Sequence, residues 1–345
     1  MLIAARGVQA IGAAALLPTS LALLLPEFPP AKRGAAVGIW AAVGGAAAAA
    51  GPPLGGLLVE ASWRWVFLVN VPIGIVTAIV AVRVLRETRE PAGRPLPDVG
   101  GALLLMAAIT ALALAIVEGE RWGWGSTPIV ALFATAALLT IAFVMRSARH
   151  PSPVVELALL RERPVAAANV GAFLFFAGFG ANILGSVLFL TQVWGWSTLH
   201  AGLALAVGPT LAATSAAPAG RLADRYGQRA IGLPGALLLA GCAWWIAALQ
   251  DTPQWATHLL PGQVLAGLGI GMILPTLGSA SVVTLPPERF ATGTGVYGMS
   301  RQIGTAVGVA LMVALLAGAA DGALNAGAFV PVWGLCGGLA LATAV

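Results

Sequence analysis

Ionisable and strongly polar residues are scarce in this chain, so those set in short patterns or inside apolar runs are where chemistry would be done. Residues 220–229 read G-R-L-A-D-R-Y-G-Q-R. Gly220 would let two helix ends approach, and Gly227 would allow a tight turn with positive φ. Asp224 could accept hydrogen bonds at a helix N-terminus and pair with a cationic side chain, with Arg225 and Arg229 carrying positive charge in the same stretch. On residue types alone the plainer reading is an ordinary polar loop held inside by its positive charge. Residues 6–14 read R-G-V-Q-A-I-G-A-A and set Arg6, Gln9 and Gly12 one turn apart. An arginine within a membrane span costs roughly 2.5–3.5 kcal/mol or more, so it faces protein or water, or snorkels to the interface. Residues 47–56, A-A-A-A-G-P-P-L-G-G, combine Gly51, Gly55 and Gly56, which permit close helix packing, with Pro52, which kinks. Arg301, Asn182, Gln263 and Trp244, with Asn169, Gln192, Thr214, Thr276 and Trp245, are polar or aromatic residues inside apolar runs that could meet a ligand in a central cavity, the tryptophans by stacking on an aromatic or cationic molecule. For each of these alone, an interhelical hydrogen bond or an interface anchor is an equal reading.

Other chemistries find no support. Cys242 and Cys336 sit inside apolar runs and read as small buried hydrophobes. Two lone cysteines without a nearby histidine make no zinc site. G-T-G-V-Y-G at 293–298 matches a dinucleotide fingerprint in form, but no strand precedes it. No G-x-x-x-x-G-K-[S/T] loop is present for ATP, no catalytic polar cluster marks a membrane enzyme, and no cofactor or metal is expected.

The elements that must hold these residues are membrane spans. The 345 residues are 59% hydrophobic and 9% charged, against roughly 25% charged in soluble chains, and mean hydropathy is +0.92. So few charges cannot coat a water-facing surface. The net charge of +5 is therefore read by position and not as a nucleic-acid footprint. A crossing helix needs roughly 20 apolar residues, which predicts eleven spans: 2–25, 36–59, 63–85, 98–118, 127–145, 164–190, 200–218, 230–250, 257–281, 293–318 and 326–345. One set of alternate connections carries fourteen basic residues, among them Lys32, Arg83, Arg146, Arg149 and Arg221, and the other only Arg64 and Arg121. That asymmetry puts the basic side, and the C-terminus, in the cytoplasm. Trp63, Trp65, Trp122, Trp124, Trp194, Trp196 and Trp255 fall at the opposite ends, as an interfacial belt would.

An internal repeat organises the spans. Residues 9–19, QAIGAAALLPT, match 266–276, AGLGIGMILPT, and PPAKRGA at 29–35 matches PPERFA at 286–291 with one gap. The first span is thereby the parallel partner of the ninth, the relation expected between halves of a transporter related by an axis along the membrane normal. A separation of eight spans, not six, implies two extra spans between the halves. The expected division is 1–90 for three spans of a first bundle, 91–163 for two inserted spans, and 164–345 for a complete six-span second bundle. Three spans of the first bundle are then expected to be missing.

With these patterns the chain resembles the major facilitator superfamily, specifically its fourteen-span drug:proton antiporter branch, over essentially its whole length. The 220–229 stretch resembles that family's G-x-L-A-D-R-x-G-R-[K/R] loop at Gly220, Leu222, Ala223, Asp224, Arg225, Gly227 and Arg229, with Gln228 departing. Arg6, Gln9 and Gly12 resemble its fourth-span motif. Gly51, Pro52, Gly55 and Gly56 resemble its fifth-span antiporter motif, with Ala47 in place of the first glycine. The resemblance implies an all-α polytopic fold in the cell membrane with eleven of fourteen helices present. It implies a conformational switch at 220–229, proton-coupling support from Arg6, and efflux of amphipathic small molecules by alternating access, with lipid, substrate and protons as partners and neither ATP nor nucleic acid. An uptake permease of the same fold, or a truncated fragment without activity, are the other readings. All thirteen Asp and Glu fall in loops or near span ends, so the acidic relay that proton coupling requires is not apparent here.

Overall fold

The computed structural model describes residues 5–13, 16, 20, 33–84, 98–285, 290–319 and 324–344, with side chains at all of these except 33–42, 45, 48, 49, 52, 224, 290, 291 and 319. Among the described residues all regular structure is helical. In chain order the helices are α1 (5–13), α2 (Arg33–Ala61), α3 (Trp65–Leu68), α4 (Asn70–Val84), α5 (Val99–Trp122), α6 (Thr127–Ser147), α7 (Arg163–Leu188), α8 (Thr198–Leu205), α9 (Val207–Tyr226), α10 (Gln228–Ile246), α11 (Leu260–Ala280), α12 (Phe290–Ala319) and α13 (Ala326–Thr343). A π turn, Phe189–Val193, extends α7, and another, Trp255–Leu259, leads into α11.

Nine helical stretches among the described residues are long and apolar enough to cross a bilayer, from Trp65–Val84 to Ala326–Thr343. They are the third to eleventh of the expected spans. The second is the 29-residue α2, and of the first only 5–13, 16 and 20 are described. The span expected at 200–218 runs on to Ala223, and that expected at 230–250 closes at Ile246. The chain is an all-α polytopic membrane protein.

The six spans from Arg163 onward show why this sequence folds as it does. Number them one to six: α7, α8 with α9, α10, α11, α12 and α13. Their main contacts pair one with five, two with four, three with four, one with six, and three with six. Exchanging one with four, two with five and three with six maps that set onto itself. This is the signature of two three-span units of opposite orientation. Small residues make the tight crossings, as they must where lipid tails compete on equal terms with side chains. Gly304 and Gly308 of α12 lie against the backbone of Phe173 and Ala177 on α7. Gly267 of α11 lies against Gly208 and Leu211 of α9, and Gly271 one turn on against Ala212 and Ser215.

The Trp-rich end of this bundle is laced by polar bonds. Trp194 Nε1 donates to the Gln250 carbonyl at 2.8 Å, and the Ala326 N–H donates to Asp251 Oδ1 at 2.6 Å. Beneath them Phe189, Phe329 and Trp333 form an aromatic core, with Phe189 and Phe329 centroids 5.2 Å apart.

The α5–α6 hairpin docks on α12, where Ile116 shares a buried cluster with Ala310 and Ala314. The connection to α7 tucks Val155 and Leu159 under Phe143, Val165, Leu285 and Val296. Asp98 caps α5, accepting from the Gly101 N–H at 2.8 Å, and ties it to α6 through Arg146 Nε at 2.6 Å.

Candidate functional site

The sequence motifs fall at three places. The first is a seam between α2 and the six-span bundle. α2 lies along α8 and, less extensively, α9. Gly56, the last glycine of the 47–56 motif, carries the approach: a Cβ there would sit 2.6 Å from Leu199 Cα and 2.8 Å from the Thr198 carbonyl oxygen. No side chain fits between these backbones. Gly51 and Gly55 meet nothing within 4 Å among the described atoms, and the Pro52 side chain lies outside the described residues. α8 follows Trp194 and Trp196 directly, and α2 ends two residues before Trp63. The seam is therefore closed at the Trp-rich end.

The second place is 220–229, where an expected loop is corrected to two helix ends. α9 continues through Tyr226 because nothing before Gly227 breaks it, and Gln228 already begins α10. The whole reversal falls on Gly227, with φ +94° and ψ 152°, a conformation open to glycine and strained for other residues. The Gly227 N–H donates to the Ala223 carbonyl at 2.8 Å. A Cβ on Gly220, two turns back, would lie at an ordinary 3.7 Å from Pro275 of α11. Arg225 lies over the Tyr226 ring, 5.3 Å from its centroid, and Arg229 is exposed on the first turn of α10. The Asp224 side chain lies outside the described residues.

The third place is α1, where Arg6 Nη1 donates to Gln9 Oε1 at 2.6 Å and lies 5.3 Å from the Phe67 ring centroid. An amide and an aromatic face thus meet the charge. Gly12, two turns from Arg6, meets nothing within 4 Å among the described atoms.

The first four of the cavity candidates are not brought together. Arg301 lies on α12 over Phe176 of α7, 4.8 Å from the ring centroid. Asn182 lines a small void of about 40 Å³ inside the six-span bundle, beside Phe179, Cys242 and Cys336. Gln263 is buried in the α9–α11 crossing, with Oε1 2.5 Å from where a Cβ on Gly208 would lie. Trp244 is exposed on α10 with its indole nitrogen beside Gly337 of α13.

Two polar groups emerge that the residue patterns did not single out together. Ser300 Oγ donates to Asn169 Oδ1 at 3.0 Å, joining α12 to α7 one residue from Arg301. Their separation of 131 positions leaves no local signal. Asp98 is 2% exposed, with Arg146 and, at 3.9 Å, His150 Nε2 beside it. Burial pushes its carboxyl up, but the Gly101 N–H, the Arg146 guanidinium and the His150 charge outweigh this and hold it below the ordinary carboxylate value. An aspartate directly before an apolar run is the available clue to its capping role. No group of three or more His, Cys, Asp or Glu among the described residues could hold a metal ion.

Comparison with known proteins agrees with this architecture. The model of the Major Facilitator Superfamily matches residues 1–309 and again 169–345. The second match covers the six-span bundle alone, as an internally repeated chain allows. The Tetracenomycin C resistance and export protein of Streptomyces glaucescens is 31% identical over 314 residues, covering 90% of this chain and 58% of that protein. Multidrug resistance protein Stp of Mycobacterium tuberculosis is 33% identical, covering 92% and 59%. Puromycin resistance protein pur8 of Streptomyces alboniger is 36% identical, covering 91% and 63%. The chain thus spans less than two thirds of the length of these relatives. A family match along the chain, joined to helix pairing that repeats by threes, leaves one assignment: the chain belongs to the Major Facilitator Superfamily.

Proposed function

We propose that this chain works in proton-coupled efflux of amphipathic small molecules across the cell membrane, by rocking of two helical bundles about a site near mid-membrane. The observation that carries the reading is the bare backbone contact of Gly56 with Leu199 at the one described seam between the halves. A glycine-only contact there suits two bodies that must close tightly and part again. Support comes also from relatives whose names are those of resistance and export proteins. In this reading the basic helix ends face the cytoplasm, as the C-terminus does, and the seam closed at the Trp-rich end corresponds to a state shut to the outside. The α5–α6 hairpin is the added pair of a fourteen-span arrangement. Gly227 and the charged helix ends around it form the switch, and Arg6 with Gln9 supports coupling. Among the described residues the carboxylates sit at span ends.

The test is dye efflux from cells expressing the chain, with cationic ethidium and anionic carboxyfluorescein preloaded in parallel and a protonophore as control. Retention of either dye that falls with wild type, recovers with the protonophore and recovers with Gly56→Leu supports the reading. Dye accumulation above the empty-vector level points to uptake instead. Retention of both dyes equal to that of empty-vector cells removes the efflux reading for this chain.

A further inference from the structure

Arg301 is a charge that the described structure leaves without a counter-ion. It lies nine residues past Thr292 in the span Thr292–Gly318, roughly 13 Å along the helix at 1.5 Å per residue. An arginine at such depth often escapes by snorkelling to the nearer membrane face. This one does not. Its guanidinium sits over Phe176, thirteen residues into α7 and near the middle of the span Arg163–Val193. The Phe176 face and the neighbouring pair Ser300 and Asn169 give it a polarised but uncharged setting, and the side chain is exposed. Ion pairs among the described residues join Arg121 to Glu118 and Arg146 to Asp98, and none reaches Arg301. The carboxylates at Glu60, Asp98, Glu118, Glu120, Asp251 and the 156–162 segment all belong to helix ends or connections.

The position of α12 says what lies before it. α12 opens on the PPERFA copy of the repeat as α2 opens on PPAKRGA, which makes the two helices counterparts, and α2 is the helix that meets the six-span bundle. By the parallel repeat of the halves, α12 is the counterpart that faces the opposing half. A permanent positive charge, held at mid-depth on a helix of that kind, with donors unspent, selects for negative charge in what it meets.

We infer that Arg301 is an anion-binding residue of the substrate path and that the molecule taken by this chain is an amphipathic organic anion. A lipophilic cation would meet there a like charge that no described carboxylate compensates. This rests on the transporter reading above and narrows its substrate class.

The experiment uses the purified 345-residue chain in detergent, titrated at pH 8 with fluorescein as the anionic probe and rhodamine 6G as the cationic one, by fluorescence anisotropy. The expected result is that Arg301→Gln weakens fluorescein binding about tenfold, the loss of one charge-assisted hydrogen bond. Arg301→Lys should retain most of the affinity, and rhodamine 6G should bind no more weakly to Arg301→Gln than to wild type. Unchanged fluorescein affinity in Arg301→Gln, or an equal loss for both dyes, overturns the inference and marks Arg301 as a structural charge. Wild type that binds rhodamine 6G but not fluorescein overturns the anion class and leaves the transporter reading standing. Wild type that binds neither dye sinks both. Should Arg301→Gln elute as aggregate, wild type alone decides: benzenesulfonate must displace fluorescein and uncharged benzamide must not.

Discussion

At the scale of single residues, Gly56 and Gly227 show two different reasons for a glycine, close approach and positive φ. At Gly56 a side chain would meet the Leu199 backbone, which cannot rotate away. Gly56→Leu is therefore expected to part α2 from α8 and to lower the Tm of the purified protein; an unchanged Tm would contradict the seam. Gly227→Ala asks a Cβ to occupy a backbone open in practice to glycine, at a cost of about 1–3 kcal/mol, seen as a lower Tm for the purified protein. If Gly227→Ala melts with wild type, the reversal is not held where the structure places it. The positive φ of Gly227 was readable in the sequence, because a charged stretch between two apolar runs must turn and glycine turns most cheaply. The bond from Ser300 to Asn169 was not, because neither residue has a neighbour in sequence that predicts the other. Nor did residue type separate Arg301, which lies at an open helix face, from Asn182 and Gln263, which lie inside packed seams.

At the scale of elements, the α5–α6 hairpin depends on Asp98. Its carboxyl caps α5 and holds Arg146 of α6, so its folded pKa lies below the ordinary value of 3.8. A group depressed in this way contributes stability above that ordinary value and loses it as pH falls through the lower folded one. Thermal unfolding followed from pH 6 down to pH 3 should therefore show wild type losing more Tm than Asp98→Asn, which starts lower and has less to lose. Parallel curves for the two proteins would mean that the pair is not formed. The hairpin's existence was legible, since two apolar runs separated by Arg121, Trp122 and Trp124 leave few alternatives. Its docking on α12 was not, because Ile116, Ala310 and Ala314 are apolar residues of ordinary kind and any apolar span could have received them.

At the scale of the molecule, the helix contacts define which parts travel together. Through α12 the hairpin belongs to the six-span bundle, so a disulfide placed between positions 116 and 310 in a background without Cys242 and Cys336 is expected to leave dye efflux intact. Gly56→Leu, which wedges the α2–α8 seam, should arrest it. Equal effects of the two would refute the division into two moving bodies. Within the bundle, Gly308→Leu must wedge α12 from the Ala177 backbone. The cost is about 1–3 kcal/mol of overpacking, measurable as early unfolding in a detergent melt. The repeat was visible in sequence only as scattered Gly, Pro-Thr and Arg matches. The three-by-three exchange of contacts was invisible there, because inverted units share spatial partners more than they share letters.

The contact of Gly56 with Leu199 has one more consequence. Most interfaces that open and close must melt and refreeze side-chain rotamers at each cycle, about 0.5–1.5 kcal/mol for every rotamer-rich side chain immobilised. Where one face is a bare glycine, little conformational freedom is surrendered on closure and little is regained on parting. In the proposed rocking the seam would act at that point as a dry bearing, surrendering little side-chain order on each closure.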